Sequence, residues 1–247
     1  MHKVIFLGLA MAMMALASCK KPSSSGSGSL SLKVNPMFGA NAFKINSTYE
    51  SQDGKYYYIY TLNMFLSHIR LIRSGGDTVE VNPVTFIRFN DSTGINPVIS
   101  LGNPSGTFTA IQFSIGLDAA QDTNSPSANS SSPYFTGNGM NWGPALQNVF
   151  VELEGYADTN QIPVQSIGYH VGTEPYYTTV TLNKSFTLSG TSASTLNLNM
   201  DVQRLFYGGS NPINVLNRSE DATGTSPFVP ALCQQFITNL DSAFSLQ

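Results

Sequence analysis

Apolar and polar residues alternate along most of this chain, and a period of two predicts strands rather than helices. Leu30-Ser31-Leu32-Lys33-Val34 sets the pattern. After the turn dipeptide Asp53-Gly54 comes a run over 55–73 that is dense in Tyr, Ile, Leu and Phe and free of Gly and Pro. That run exceeds an ordinary strand, so it should be one long bent strand, or two with a bulge near Ser67-His68. Gly75-Gly76-Asp77 then turns the chain into a strand over 78–81 and, past Pro83, another over 84–89. Residues 107–115 set Ile111, Phe113 and Ile115 against Gln112 and Ser114, and residues 148–154 set Val149, Val151 and Leu153 against Phe150, Glu152 and Glu154. Each reads as a strand with one face in a core. Further strands are predicted over 162–171, 177–188 and 195–202. Pro230 opens a last segment in which Leu232, Phe236, Leu240 and Phe244 recur every fourth residue, the mark of a short helix over 230–244. Frequent short strands with turn signals between them give an all-β fold, a sandwich or barrel. The expectation is an antiparallel β-sandwich with long loops and a short carboxy-terminal helix.

The amino terminus departs from this pattern. Met1-His2-Lys3 is followed by an apolar stretch from Val4 to Met14 and then by Leu16-Ala17-Ser18-Cys19. A basic head, an apolar run too short to span a bilayer and small residues before a cysteine describe a lipoprotein signal over 1–18, with Cys19 as the lipidated residue. Residues 19–29, rich in Ser and Gly, then form a flexible tether, and a single β-sandwich domain occupies 30–247. The expected location is the outer membrane of the cell envelope, anchored by lipid on Cys19.

Composition narrows the function. Charged residues make up only 11% of the chain. Loss of residues 1–18 removes Lys3 and no acid, leaving 11 basic and 15 acidic residues, a formal charge of −4. Such a surface offers no basic field for nucleic acid. With Cys19 consumed by lipid, Cys233 has no disulfide partner and is expected to be buried.

The standard catalytic signatures are absent: there is no His-Glu-x-x-His, Gly-x-Ser-x-Gly or phosphate-binding glycine loop. A Ser-His-Asp triad is arithmetically open, but nothing marks a serine as activated, so a non-enzymatic protein is expected. Asp118, Asp122 and Asn124 share a polar stretch, yet Pro126 stands where a calcium loop wants Asp or Asn, which favours a solvated loop. The long aperiodic stretch over 117–144 is a candidate binding loop.

The most informative residues are Gly139-Met140-Asn141-Trp142, then Val149-Phe150-Val151-Glu152-Leu153-Glu154-Gly155, then Gly168-Tyr169-His170-Val171-Gly172. In order and spacing they resemble the MbnP family of copper-associated, methanobactin-operon proteins, with its Gly-Met-x-Trp loop, Leu-Glu-Gly strand end and Tyr-His-x-Gly strand. The residues around 32–39, 57–71, 108–118 and Asp201-Val202 extend the likeness over most of 30–207. The resemblance implies an exported protein linked to copper. It casts Trp142 as a residue that a partner dihaem peroxidase-like enzyme oxidises to kynurenine, and His170 as a copper ligand. His68 and the thioether of Met140 are further candidate ligands. Where copper-binding members place another histidine, this chain has Gly143-Pro144-Ala145. The alternative reading is a metal-free module on the same fold that recognises a cell-envelope ligand or partner.

Overall fold

A computed structural model describes residues 28–89, 97–122, 139–142, 148–207, 211–216 and 229–247. The signal segment, Cys19 and most of the tether, together with Asn124, Pro126 and Gly143-Pro144-Ala145, lie outside the described residues. Two sheets face each other. The smaller contains β1 (Leu30–Phe38), β2 (Asn41–Ala42), β6 (Val98–Ser100), β11 (Ser194–Asp201) and β12 (Phe244–Leu246). The larger contains β3 (Thr48–Glu50), β4 (Tyr56–Arg73), β5 (Thr78–Arg88), β7 (Gly106–Ile115), β8 (Val149–Asp158), β9 (Gln165–Gly172) and β10 (Thr178–Leu188). One α-helix, α1 (Pro230–Asp241), stands among the described residues. The fold is the expected all-β sandwich, with antiparallel pairing throughout except for β1 and β11, which run parallel.

The core lies between the sheets, lined by apolar residues that the strands turn inward, while β4, β8 and β9 also bury consecutive residues. In β1 the alternation is strict: Leu30, Leu32, Val34, Pro36 and Phe38 are buried and the residues between them are not. Aromatic rings join the layers: Tyr57 of β4 stacks on Phe206 at 4.7 Å and tilts against Phe38 of β1 at 5.8 Å, and Phe113 of β7 meets Phe244 of β12 edge-on at 5.1 Å.

β4 is the spine of the larger sheet, and its register explains how. Over Leu66–Ile72 it pairs with both β5 and β7, so these occupy opposite edges. At Asn63 and Met64 it pairs with both β5 and β8, so β8 follows β7 along one edge. The first half of β4 therefore supports β8 and β9, and the second half supports β7 and β10. A bulge falls where the sequence places it: both pairings slip around His68, whose φ is +48°.

Three boundaries differ from expectation. β5 runs unbroken through Pro83, because among the described residues it pairs only with β4 along one edge, where a missing N–H is tolerated. β9 begins at Gln165 rather than 162: Ile162 and Val164 are exposed, Pro163 cannot donate to a ladder, and Asp158 accepts hydrogen bonds from Thr159 and Asn160 to hold a turn there. The helix stops at Asp241, and Phe244 continues the apolar spacing from a strand that pairs with β11.

Candidate metal centre

β4, β8 and β9 lie side by side so that Asn63, Glu152 and His170 form one row across the sheet, and Thr61, Glu154 and Gly168 the next. Strand alternation sends Leu153 and Tyr169 into the core and leaves Glu152, Glu154 and His170 together on the other face. His170 Nε2 is 3.1 Å from Glu154 Oε1 and 4.0 Å from Glu152 Oε1, and one ligand atom from each residue lies within 4.8 Å of the others. Gly168 stands directly opposite Glu154, and a Cβ there would meet only His170 Cε1, at an ordinary contact of 3.7 Å.

The remaining carboxylate oxygens are tied down. Glu152 Oε2 accepts from Asn63 Nδ2 at 2.5 Å, and Glu154 Oε2 accepts from Thr61 Oγ1 at 3.2 Å. Each glutamate thus spends one oxygen on β4 and presents the other to His170, the arrangement by which outer hydrogen bonds orient metal ligands. Even a protonated His170 leaves the trio net negative. The field reaches Tyr60, whose phenol is pushed above its ordinary value by burial and then by Glu154 and Tyr156.

His170 sits on the outer face yet is only 7% exposed. Trp142 roofs it: the two ring centroids are 4.7 Å apart at a tilt of 55°, and the indole N–H donates to the Gly139 carbonyl at 3.1 Å. The short Trp142 segment is stitched to the start of β8. Val149 N donates to Met140 O at 2.8 Å, Asn141 bridges Asn148, and Asp122 Oδ1 accepts from both the backbone and side-chain nitrogens of Asn148. The glycines of the two strand motifs mark close approaches. A Cβ on Gly155 would lie 2.3 Å from the Tyr58 carbonyl, and one on Gly172 would lie 2.5 Å from the Asn148 carbonyl.

Of the residues singled out in the sequence, Trp142 and His170 meet. Met140 is wholly buried within the hydrophobic core. His68 sits five residues along β4 from Asn63, roughly 16 Å of strand, and has its own partners: Nδ1 is 3.2 Å from Glu80 and Nε2 is 2.8 Å from Asp118. The two candidate calcium residues that are described point apart, Asp118 to His68 and its own turn, Asp122 to Asn148. Cys233 is buried on α1. Sequence reasoning passed over Glu152 and Glu154 as ligands. Their signal was a Glu-x-Glu spacing, which puts both carboxylates on the face that the alternation of Val149, Val151 and Leu153 turns away from the core.

The site has an imidazole nitrogen and two carboxylate oxygens in a shielded, net-negative setting, a chemistry suited to holding a cation. The MbnP family model matches residues 27–226 of the chain. Among solved structures, MbnP from Methylosinus trichosporium is similar in fold, with a TM-score of 0.56 and 12% identity over 88% of this chain and 97% of that one. No curated protein matches the sequence. The match over most of the chain, together with the sandwich on which the three motifs converge, establishes that this chain belongs to the MbnP family.

Proposed function

We propose that this chain is an exported, lipid-anchored, copper-associated protein whose metal site is the face where Trp142 roofs His170. The observation that carries this reading is the convergence of three sequence motifs: the Gly-Met-x-Trp segment, the Leu-Glu-Gly strand and the Tyr-His-x-Gly strand supply Trp142, Glu154 and His170 to one place. Copper titration of the protein beside its His170→Ala variant tests it. Retention by the parent and its loss in the variant is expected, and equal, negligible retention by both overturns the reading.

Trp142 is half-buried, which supports access by an oxidising partner of the dihaem class. Conversion to kynurenine loses one carbon and gains one oxygen, a rise of about 4 Da that peptide mass analysis of protein from its native host detects. The anchor is proposed to be Cys19. A Cys19→Ser variant is expected to lose lipid labelling and to partition as soluble, since the lipid supplies the membrane affinity.

A second reading, a cell-envelope recognition module, is favoured by the exposed rings of Tyr60 and Tyr156 beside Glu154, their centroids 5.7 Å apart. It expects alanine at both tyrosines to abolish recognition of an envelope glycan while copper retention is unchanged.

A further inference from the structure

We propose that Glu152, Glu154 and His170 form a three-ligand site selective for a divalent cation of the Cu(II) or Zn(II) class over Cu(I). This rests on the reading that the Trp142 face holds metal, and it fixes which donors do so and which oxidation state they select.

The donor set decides the class. Cu(I) is soft and is favoured by thiolates, thioethers and several imidazoles. The face presents one imidazole. The thioether of Met140 and the thiol of Cys233 are both fully buried in the core. The indole of Trp142 holds no lone pair for a metal, and its N–H is already committed to the Gly139 carbonyl. The atoms that converge are one nitrogen and two carboxylate oxygens, the set that suits Zn(II) and Cu(II). The presence of an imidazole in a nearly closed position separates the site from the all-oxygen cages of Ca(II) and Mg(II).

The geometry is prepared for this ion. Asn63 and Thr61 hold the outward oxygens of the glutamates, so the inward ones stay aimed at His170 Nε2 without a metal to organise them. Two carboxylates two residues apart on one strand repel each other, and a divalent charge at their shared edge removes that cost. Three protein ligands leave a fourth position for water or a further donor.

The test uses the whole apo-protein, its Glu152→Gln/Glu154→Gln double variant and its His170→Ala variant. Each is titrated with Zn(II), Cu(II), Ca(II) and, without oxygen, Cu(I). The chain's one tryptophan reports directly, because a Cu(II) ion bound at His170 lies against its ring and quenches its fluorescence. The parent is expected to bind one Cu(II) or Zn(II) per chain, with a tetragonal Cu(II) spin-resonance spectrum that carries the splitting of a single nitrogen. The double variant should keep its melting temperature and lose affinity for both ions by about a hundredfold or more. Unchanged Cu(II) and Zn(II) affinity in the double variant, or Ca(II) competing on equal terms, overturns the proposal. Cu(I) binding that His170→Ala abolishes and the double glutamine variant leaves intact overturns it too, while sparing the copper assignment itself. Failure of every metal to bind removes both.

Discussion

Asp122 holds the Trp142 segment from behind. Its carboxyl is buried, accepts two hydrogen bonds from Asn148 through Oδ1, and has no hydrogen-bond partner at Oδ2 among the described residues. Burial raises its proton affinity above the usual carboxylate value, against the pull of the Asn148 bonds. The native state then keeps a proton that the unfolded chain releases, so this group's contribution to stability falls as pH rises through that window. Asp122→Asn, whose Oδ1 still accepts from Asn148, is expected to flatten the stability profile across mildly acidic pH, as read by thermal melts at stepped pH. Asp122→Ala leaves the buried nitrogens of Asn148 unpaired, so it should cost about 1–3 kcal/mol and change Trp142 emission. At Gly155 the obstacle is backbone rather than a flexible side chain, so Gly155→Ala should destabilise by about 1–3 kcal/mol in denaturant titration. At this scale the sequence made the Trp142 and His170 pair legible, because an unusual tryptophan and one of few histidines stand in recognisable motifs. Glu152 and Glu154 were not, because acids on the outward face of a strand ordinarily read as solvent-facing charge. Only the cross-strand register of β4, β8 and β9 shows that Asn63, Thr61 and His170 engage them.

Among the elements, β4 carries the most consequence, and its bulge is fastened by charge. His68, held at positive φ, places one ring nitrogen on Glu80 of β5 and the other on Asp118 beyond β7, while Arg70 Nε donates to Glu80 at 3.1 Å. Burial would raise both carboxyls. In Glu80 the hydrogen bonds from His68 and Arg70 outweigh it, and in Asp118 those from the Gln121 backbone, His68 and the Ala120 backbone do, so both fall below their ordinary values. For groups depressed in the folded state, the stabilisation is present above the unfolded carboxylate range and is lost as pH falls through the depressed values. His68→Gln cannot carry the charge that draws both acids, and its acid-unfolding midpoint, followed by circular dichroism, is expected at higher pH than the parent's. The bulge itself was legible, since a run over 55–73 without breakers has to bend somewhere. The ends of β9 and α1 were not: Ile162 and Val164 look like strand residues until Pro163 and the Asp158 turn are weighed, and Phe244 keeps a helical spacing from within a strand. At β9 one local signal lost to another, and at α1 a local signal lost to the tertiary pairing of β12 with β11.

Across the whole molecule, the metal face and the core face of β9 are consecutive residues. His170 points outward to Glu154, and Tyr169 before it points inward, stacked on Phe236 of α1 at 4.9 Å and edge-on to Phe206 at 5.7 Å. The helix lies beyond residues 27–226, the span matched by the family model, yet it buries Leu232, Phe236, Ile237 and Leu240 and leads into β12, whose Phe244 packs on Phe113 of the larger sheet. The carboxy-terminal segment therefore braces, from the core side, the strand that carries the only imidazole of the site. Alternation along β9 could be read from the sequence, but the partner of its inward face could not, because α1 lies some sixty residues away in the chain. Truncating Phe236 removes a fully buried ring and the stacking surface of Tyr169. Phe236→Ala should therefore lower global stability by about 3–5 kcal/mol. Its effect on the site should differ from that of a ligand substitution. With the protein still folded at low temperature, the glutamates and His170 remain in place, so the same metal binds with the same single-nitrogen signature. What should change is the spread of Trp142 and His170 positions, seen as broadened Trp142 emission and a modest loss of affinity that grows on warming. Affinity unchanged up to the melting transition would show that β9 holds its register without the helix.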